Sequence, residues 1–207
     1  MRELRIADGQ LEAVLLPEAG ARLHRLRAFG HDLLRTPPDP ADHLREPFFW
    51  GGYLMAPWCN RIAATATAVG GRTIRVPSNF PDGSAIHGQV YAIPWTVTGM
   101  GTCSIRAGGD GWPWPYDVTL SAEAHDTSLS LRWRLTNLAD EPMPAGIGFH
   151  PWWRRPIQVS VDAGLVYASN LAPTLDPLPV TGPLDLRTLA APADGLDGTW
   201  TDASIGP

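Results

Sequence analysis

The chain has 207 residues, 44% of them hydrophobic, enough to bury a full core without disulfide or metal staples. Charged residues make up 18% and the net charge is −5, a balance that repels polyphosphate and excludes nucleic acid as a partner. The start Met1-Arg2-Glu3-Leu4-Arg5-Ile6 has no apolar signal region, and no stretch approaches the roughly 18 apolar residues of a membrane span, so a cytoplasmic protein with no membrane partner is expected.

In chain order, the first strand candidates are Arg2 to Ile6 and Leu11 to Leu16, short runs rich in aliphatic residues. Thr73 to Val76 and Trp95 to Thr98 follow, with Gly70-Gly71 and Pro81-Asp82-Gly83 as turn punctuation. Gly108-Gly109-Asp110-Gly111 marks another turn, and Trp112-Pro113-Trp114-Pro115-Tyr116 reads as a proline-stiffened loop at a hairpin entrance. The clearest periodicity comes next. Val118, Leu120, Ala122 and Ala124 alternate with polar residues, then Leu129, Leu131, Trp133 and Leu135 do the same, and the break at Asp126-Thr127 makes this a hairpin. By the same alternation, Trp95 and Trp133 are core residues. Gln158 to Val161 is a last strand candidate, and Leu171 to Pro192, rich in Pro, Leu and Asp, is expected to cross the surface as an irregular loop.

No long stretch repeats apolar residues at helical spacing, and 21 Gly with 21 Pro oppose long helices. The chain is therefore expected to be all-β, a sandwich or barrel, because antiparallel sheets bury one face each. It is read as one domain spanning residues 1–207. Cys59 and Cys103 are too few for a disulfide framework and fit no zinc spacing, so both are expected as reduced thiols. His24, His31, His43 and His125 likewise form no metal-ligand pattern, and no serine-hydrolase elbow, phosphate loop or dinucleotide fingerprint occurs. No metal is expected.

Three runs carry chemistry. Gly148-Phe149-His150-Pro151-Trp152-Trp153 holds a histidine between a permissive glycine, a rigid proline and aromatic surface. An ordinary imidazole titrates near pH 6.5, which suits proton transfer at neutrality. Ala85-Ile86-His87-Gly88 supplies a second imidazole beside a glycine that lets a ligand approach. Pro57-Trp58-Cys59-Asn60-Arg61-Ile62 adds a guanidinium with five donors and an amide that could bind sugar or cap a turn. All are hydroxyl-binding groups, and an aromatic face such as that of Trp152 packs well against a pyranose.

In this order and spacing the three runs resemble the aldose 1-epimerase (galactose mutarotase) family, whose members carry Asn-Arg-Ile, His-Gly and Gly-x-His-Pro-aromatic motifs. The resemblance runs from the first strands to about Asp197. It implies a large antiparallel two-sheet β-sandwich of galactose mutarotase-like fold, with an aldose bound in an open cleft on one sheet. The implied reaction interconverts α and β anomers by acid/base ring opening and closure, without a cofactor. His150 then matches the general acid toward the ring oxygen, with His87, Arg61, Asn60 and Trp152 on the substrate. Asp197 resembles a substrate-binding aspartate, although Gly198 follows it where the family has His or Asp, and an Asp-Gly turn is the other reading. Family members take the C1 hydroxyl proton with a glutamate near the C-terminus, whereas the last glutamate here is Glu141. The expectation is a fragment lacking the C-terminal strands. Two alternatives stay open: a hexose-6-phosphate 1-epimerase, which needs basic residues at the cleft, and a sugar-binding relative without chemistry.

Overall fold

The computed structural model describes residues 1–63, 66–167 and 176–203. The chain divides into two compact units, Met1–Arg154 and Arg155–Pro207.

The first unit begins with strands β1 (Leu4–Asp8), β2 (Leu11–Leu16), β3 (Arg22–Ala28) and β4 (His31–Asp32). A single helical turn, α1 (Asp42–Arg45), precedes β5 (Gly52–Met55). Short strands β6 (Arg61–Ala63), β7 (Thr67–Val69), β8 (Arg72–Ile74) and β9 (Ser84–Ile86) lead to a meander of β10 (Thr96–Gly99), β11 (Thr102–Gly109), β12 (Trp112–His125) and β13 (Ser128–Asn137). The unit closes with β14 (Gly148–Pro151). One sheet has the order β1-β2-β3-β5-β14, with β4 beside β3, and a second has the order β10-β11-β12-β13. Their inner faces share one core: Leu11, Ala13, Leu23 and Leu26 of the first sheet pack with Cys103, Val118, Leu120 and Ala122 of the second. This is the expected antiparallel β-sandwich, each sheet burying one face.

The periodic hairpin is present as β12 and β13, which pair in register from Tyr116↔Asn137 to His125↔Ser128. Trp133 is half-buried rather than fully buried and stacks on Phe149 at 5.1 Å. Trp95 is buried and its indole N–H donates to the Val90 carbonyl, though it lies just before β10.

Two sequence expectations need correction. Trp112 to Tyr116 is not a loop but the first third of β12, with Trp112, Trp114 and Tyr116 buried at alternate positions and both prolines outward. Pairing with β13 starts only at Tyr116, and on that side residues 112–115 are met just once, where the Pro115 carbonyl accepts the Leu138 N–H. Prolines are tolerated at such an edge because no ladder hydrogen bond is asked of the missing N–H. Gln158 to Val161 is not a strand. It contributes one bridge, Val159 to Ala190, and a Val161 N–H bond to the Leu186 carbonyl.

In the second unit, β15 (Ala163–Tyr167) is flanked by β16 (Leu178–Pro179) and β17 (Thr199–Ala203). Val166, Val180 and Leu186 are buried, and the Trp200 indole N–H donates to the Leu184 carbonyl at 2.9 Å. The segment expected as an irregular loop, 171–192, falls partly outside the described residues at 171–175. From 176 on it holds β16, a 3-10 turn at Gly182–Leu184 and the bridge at Ala190. Cys59 and Cys103 are unpaired. Among the described residues, no helix is long and apolar enough to cross a membrane.

Candidate active site

β14 and β5 place the central pair. His150 lies directly opposite Tyr53, so their side chains share a face of the sheet. The two rings stack with centroids 4.8 Å apart and planes 9° from parallel. His150 Nδ1 is buried without a partner. Burial pushes the His150 pKa below the ordinary histidine value, with its own backbone partly opposing and the Arg22 charge reinforcing the shift.

His87 meets this pair from the side, its ring centroid 5.3 Å from that of His150 in an edge-on arrangement. It reaches that position through an unusual backbone, φ +63°, reciprocated by Asn60 at +59°. The two residues clasp each other: the His87 N–H donates to the Asn60 carbonyl at 3.0 Å, and the Asn60 N–H donates to His87 Nδ1 at 3.2 Å. Since Nδ1 accepts, the neutral His87 ring carries its hydrogen on Nε2. Burial, then the nearby His150, then Arg61 push its pKa down to about 4. Gly88 is required next, because a Cβ there would overlap the Ala56 carbonyl.

Arg61 starts β6, pairing with Ile86 of β9. Its Nε donates to Asp82 at 2.7 Å and its Nη1 to the Asn60 side-chain oxygen at 3.1 Å. The guanidinium also lies 5.3 Å over the Phe80 ring. Asp82 is fixed in turn by the Ser84 hydroxyl and backbone N–H. Asn60 therefore occupies a turn and orients Arg61 at once. Trp152 spends its indole N–H on the Phe48 carbonyl at 2.7 Å, leaving its face as the surface on offer, 5.7 Å from the His150 ring.

Beneath these groups lies a polar cluster that sequence reading did not single out. Arg22 is 1% exposed, its guanidinium 4.8 Å over the Tyr53 ring. It donates to the carbonyls of Pro47 at 2.5 Å, Tyr91 at 3.2 Å and Trp50 at 3.4 Å, and to His43 Nδ1 at 3.2 Å. Accepting at Nδ1 sets the His43 hydrogen on Nε2, which then donates to His24 Nδ1 at 2.8 Å. Burial lowers the Arg22 pKa to about 10 and that of His43 to about 3, the latter helped by the Arg22 charge. The guanidinium stays charged at neutral pH and ties α1, the α1–β5 connection and the Tyr91 loop to the floor of the site. Its signal in the sequence is slight, an arginine in a strand.

The structure thus brings Asn60, Arg61, His87, His150 and Trp152 into one chain of contacts. Asp197 belongs to the second unit, where it is exposed and follows a turn closed by the Leu196 N–H and the Ala193 carbonyl. Among the described residues no group of three or more His, Cys, Asp or Glu side chains is placed to hold a metal ion.

A family model described as aldose 1-epimerase matches residues 2–199. The chain belongs to the aldose 1-epimerase family. No curated protein matches it. Among solved structures, a galactose mutarotase-like protein from Clostridium acetobutylicum superposes with a TM-score of 0.74 at 22% identity, covering 87% of this chain and 62% of that one. A protein from Synechocystis sp. PCC 6803 gives 0.75 at 19% identity, covering 99% and 71%. The galactose 1-epimerase from Lactobacillus acidophilus gives 0.66 at 16%, covering 89% and 60%. These likenesses establish the mutarotase-like sandwich, and the chain spans less than two thirds of the length of the Clostridium and Lactobacillus proteins.

Proposed function

We propose that the site acts on an aldose, interconverting its α and β anomers, with His150 as the acid toward the ring oxygen. The observation that carries this reading is the pair of imidazoles 5.3 Å apart, with the Arg61 charge near His87 and the Trp152 ring 5.7 Å from that of His150. In the forward step a base takes the C1 hydroxyl proton, the bond from C1 to the ring oxygen breaks, and His150 gives that oxygen a proton. The sugar is then an open aldehyde. Rotation about C1–C2 and closure with the proton transfers reversed yield the other anomer. Atoms and electrons are conserved, so no cofactor is called for. His87 and Arg61 hold hydroxyls and stabilise charge on the ring oxygen, while Asn60 sets the Arg61 fork and Trp152 receives the sugar face. Asp197 enters the reading through the family resemblance alone, as does a glutamate base, for which the 207 residues offer no candidate after Glu141.

Acid and base each contribute typically about 10²–10⁴-fold. Polarimetry of freshly dissolved α-glucose and α-galactose tests the reading, using this chain and a form extended at the C-terminus. Acceleration by the extended form that His150→Ala removes supports it. If neither form accelerates mutarotation although sugar binds, the protein is a sugar-binding relative. The pH profile has a stated sign: His150 donates as the imidazolium, and its pKa lies below 6.5. The rate it supplies therefore falls as pH rises through that lowered value, and a His150-dependent rate that stays flat from pH 5 to 8 contradicts the assignment.

A further inference from the structure

β14 does not end its extended course at Pro151. The Arg35 N–H donates to the Trp152 carbonyl at 2.7 Å and the Arg154 N–H to the Leu33 carbonyl at 2.8 Å, around the bridge of Leu34 to Trp153. Alternate residues of an extended strand share a face, so Arg154 follows His150 and Trp152 on the site side of the sheet. Arg25 joins them from β3. It pairs with Val14 where Arg22 pairs with Leu16, and this places Arg25 on the same side as Arg22, whose guanidinium covers Tyr53.

A cavity of about 420 Å³ opens here, lined by Arg25, Arg35 and Arg154 together with Asp32, Leu34 and Thr36. Neither His87 nor His150 lines it. Trp152 connects the two places, since its ring lies 5.7 Å from His150 and 5.8 Å from the Arg35 guanidinium carbon. Arg35 also rests on Trp50 at 4.6 Å, and this aromatic support holds the planar group in place. The charges are poorly compensated. The one acidic group of the lining, Asp32, stands 4.0 Å from Arg154, beyond hydrogen-bond distance. Among the described residues no side-chain hydrogen bond is made by any of the three guanidiniums. Three cations against one carboxylate leave a surplus of two positive charges, the complement of a phosphate monoester, which carries about −1.5 to −2 at neutral pH. Guanidinium forks also match phosphate oxygens in geometry.

We propose that Arg25, Arg35 and Arg154 form a phosphate-binding subsite beside Trp152, so that the aldose taken by this cleft is a phosphorylated one. This rests on the sugar-binding part of the function proposed above.

Calorimetric titration at low ionic strength tests it without turnover, using glucose 6-phosphate, glucose and inorganic phosphate as separate probes. Glucose 6-phosphate should bind at least tenfold more tightly than glucose. Arg154 is 65% exposed on its side chain, so Arg154→Gln leaves folding undisturbed. It should remove most of the advantage, and Arg25→Gln with Arg154→Gln should remove the rest, while glucose affinity stays within twofold. Equal affinities for the two sugars overturn the proposal, as does an advantage that survives both substitutions. Inorganic phosphate binding as tightly as glucose 6-phosphate also overturns it, marking a site for a free anion. Failure of the function reading looks different: the binding preference persists while neither sugar mutarotates faster.

Discussion

Asp82 holds Arg61 where the candidate site needs it, and the proposed role of Arg61 depends on that hold. Asp82→Asn keeps the shape but removes the charge that anchors the Arg61 Nε at 2.7 Å. Both groups are partly exposed and the pair is screened by solvent, so little stability is lost. The expected outcome is a several-fold rise in KM for the aldose with kcat changed less, because Arg61 keeps its charge but loses its aim. Steady-state kinetics alongside a melting curve separates this from simple unfolding. The residues of the site differ in how visible they are in the sequence. Asn60, Arg61, His87 and His150 each stand in a short run whose neighbours mark them. Arg22 and Tyr53 do not, because what makes them matter is a partner far along the chain: Tyr53 faces His150, and Arg22 reaches the Tyr91 carbonyl. Single-sequence periodicity carries no record of such pairings. Asp82 was legible only as a turn residue, which it also is.

The elements vary in the same manner. β12 and β13 announce themselves by alternation, since one face is core and the other solvent. The start of β12 hides behind Pro113 and Pro115, whose usual meaning is a loop, and only the lack of a β13 partner at those positions makes them acceptable in a strand. Trp112 and Trp114 are the outcome. Both are essentially inaccessible to solvent and meet edge-on at 5.2 Å. Trp114→Ala should therefore destabilise the first unit by about 3–5 kcal/mol, the range for emptying a buried aromatic site. A urea midpoint shift with unchanged slope is the measurement, and a loss below 1 kcal/mol would mean that the edge segment does not carry the core. β14 is the opposite case, four residues without alternation, legible through its motif and not through its pattern.

At the scale of the molecule, the buried histidines make stability depend on acidity in a definite direction. His43 and His87 have folded pKa values of about 3 and about 4 against 6.5 when exposed. Between those values the unfolded chain binds more protons than the folded one, so stability rises with pH. Their contribution is complete above pH 6.5 and is lost progressively as pH falls toward 4 and then 3. Urea midpoints should hold from pH 7.5 to about 6.5 and then decline steadily to pH 4. A flat profile would show that these imidazoles are open to water.

The order in which contacts can form is the last consequence. β10 to β13 pair with sequence neighbours across tight turns, and such local ladders close quickly. The clasp of Asn60 with His87, and of Tyr53 with His150, instead waits on segments separated by 27 and 97 positions, whose loop closure costs more entropy. A refolding chain should regain most of its far-ultraviolet signal before the proposed aldose site is assembled, and any binding there should return in a later phase of its own. Stopped-flow dichroism followed beside ligand fluorescence would time the two events. Substitutions around His150 should slow the later phase and leave the earlier one unchanged.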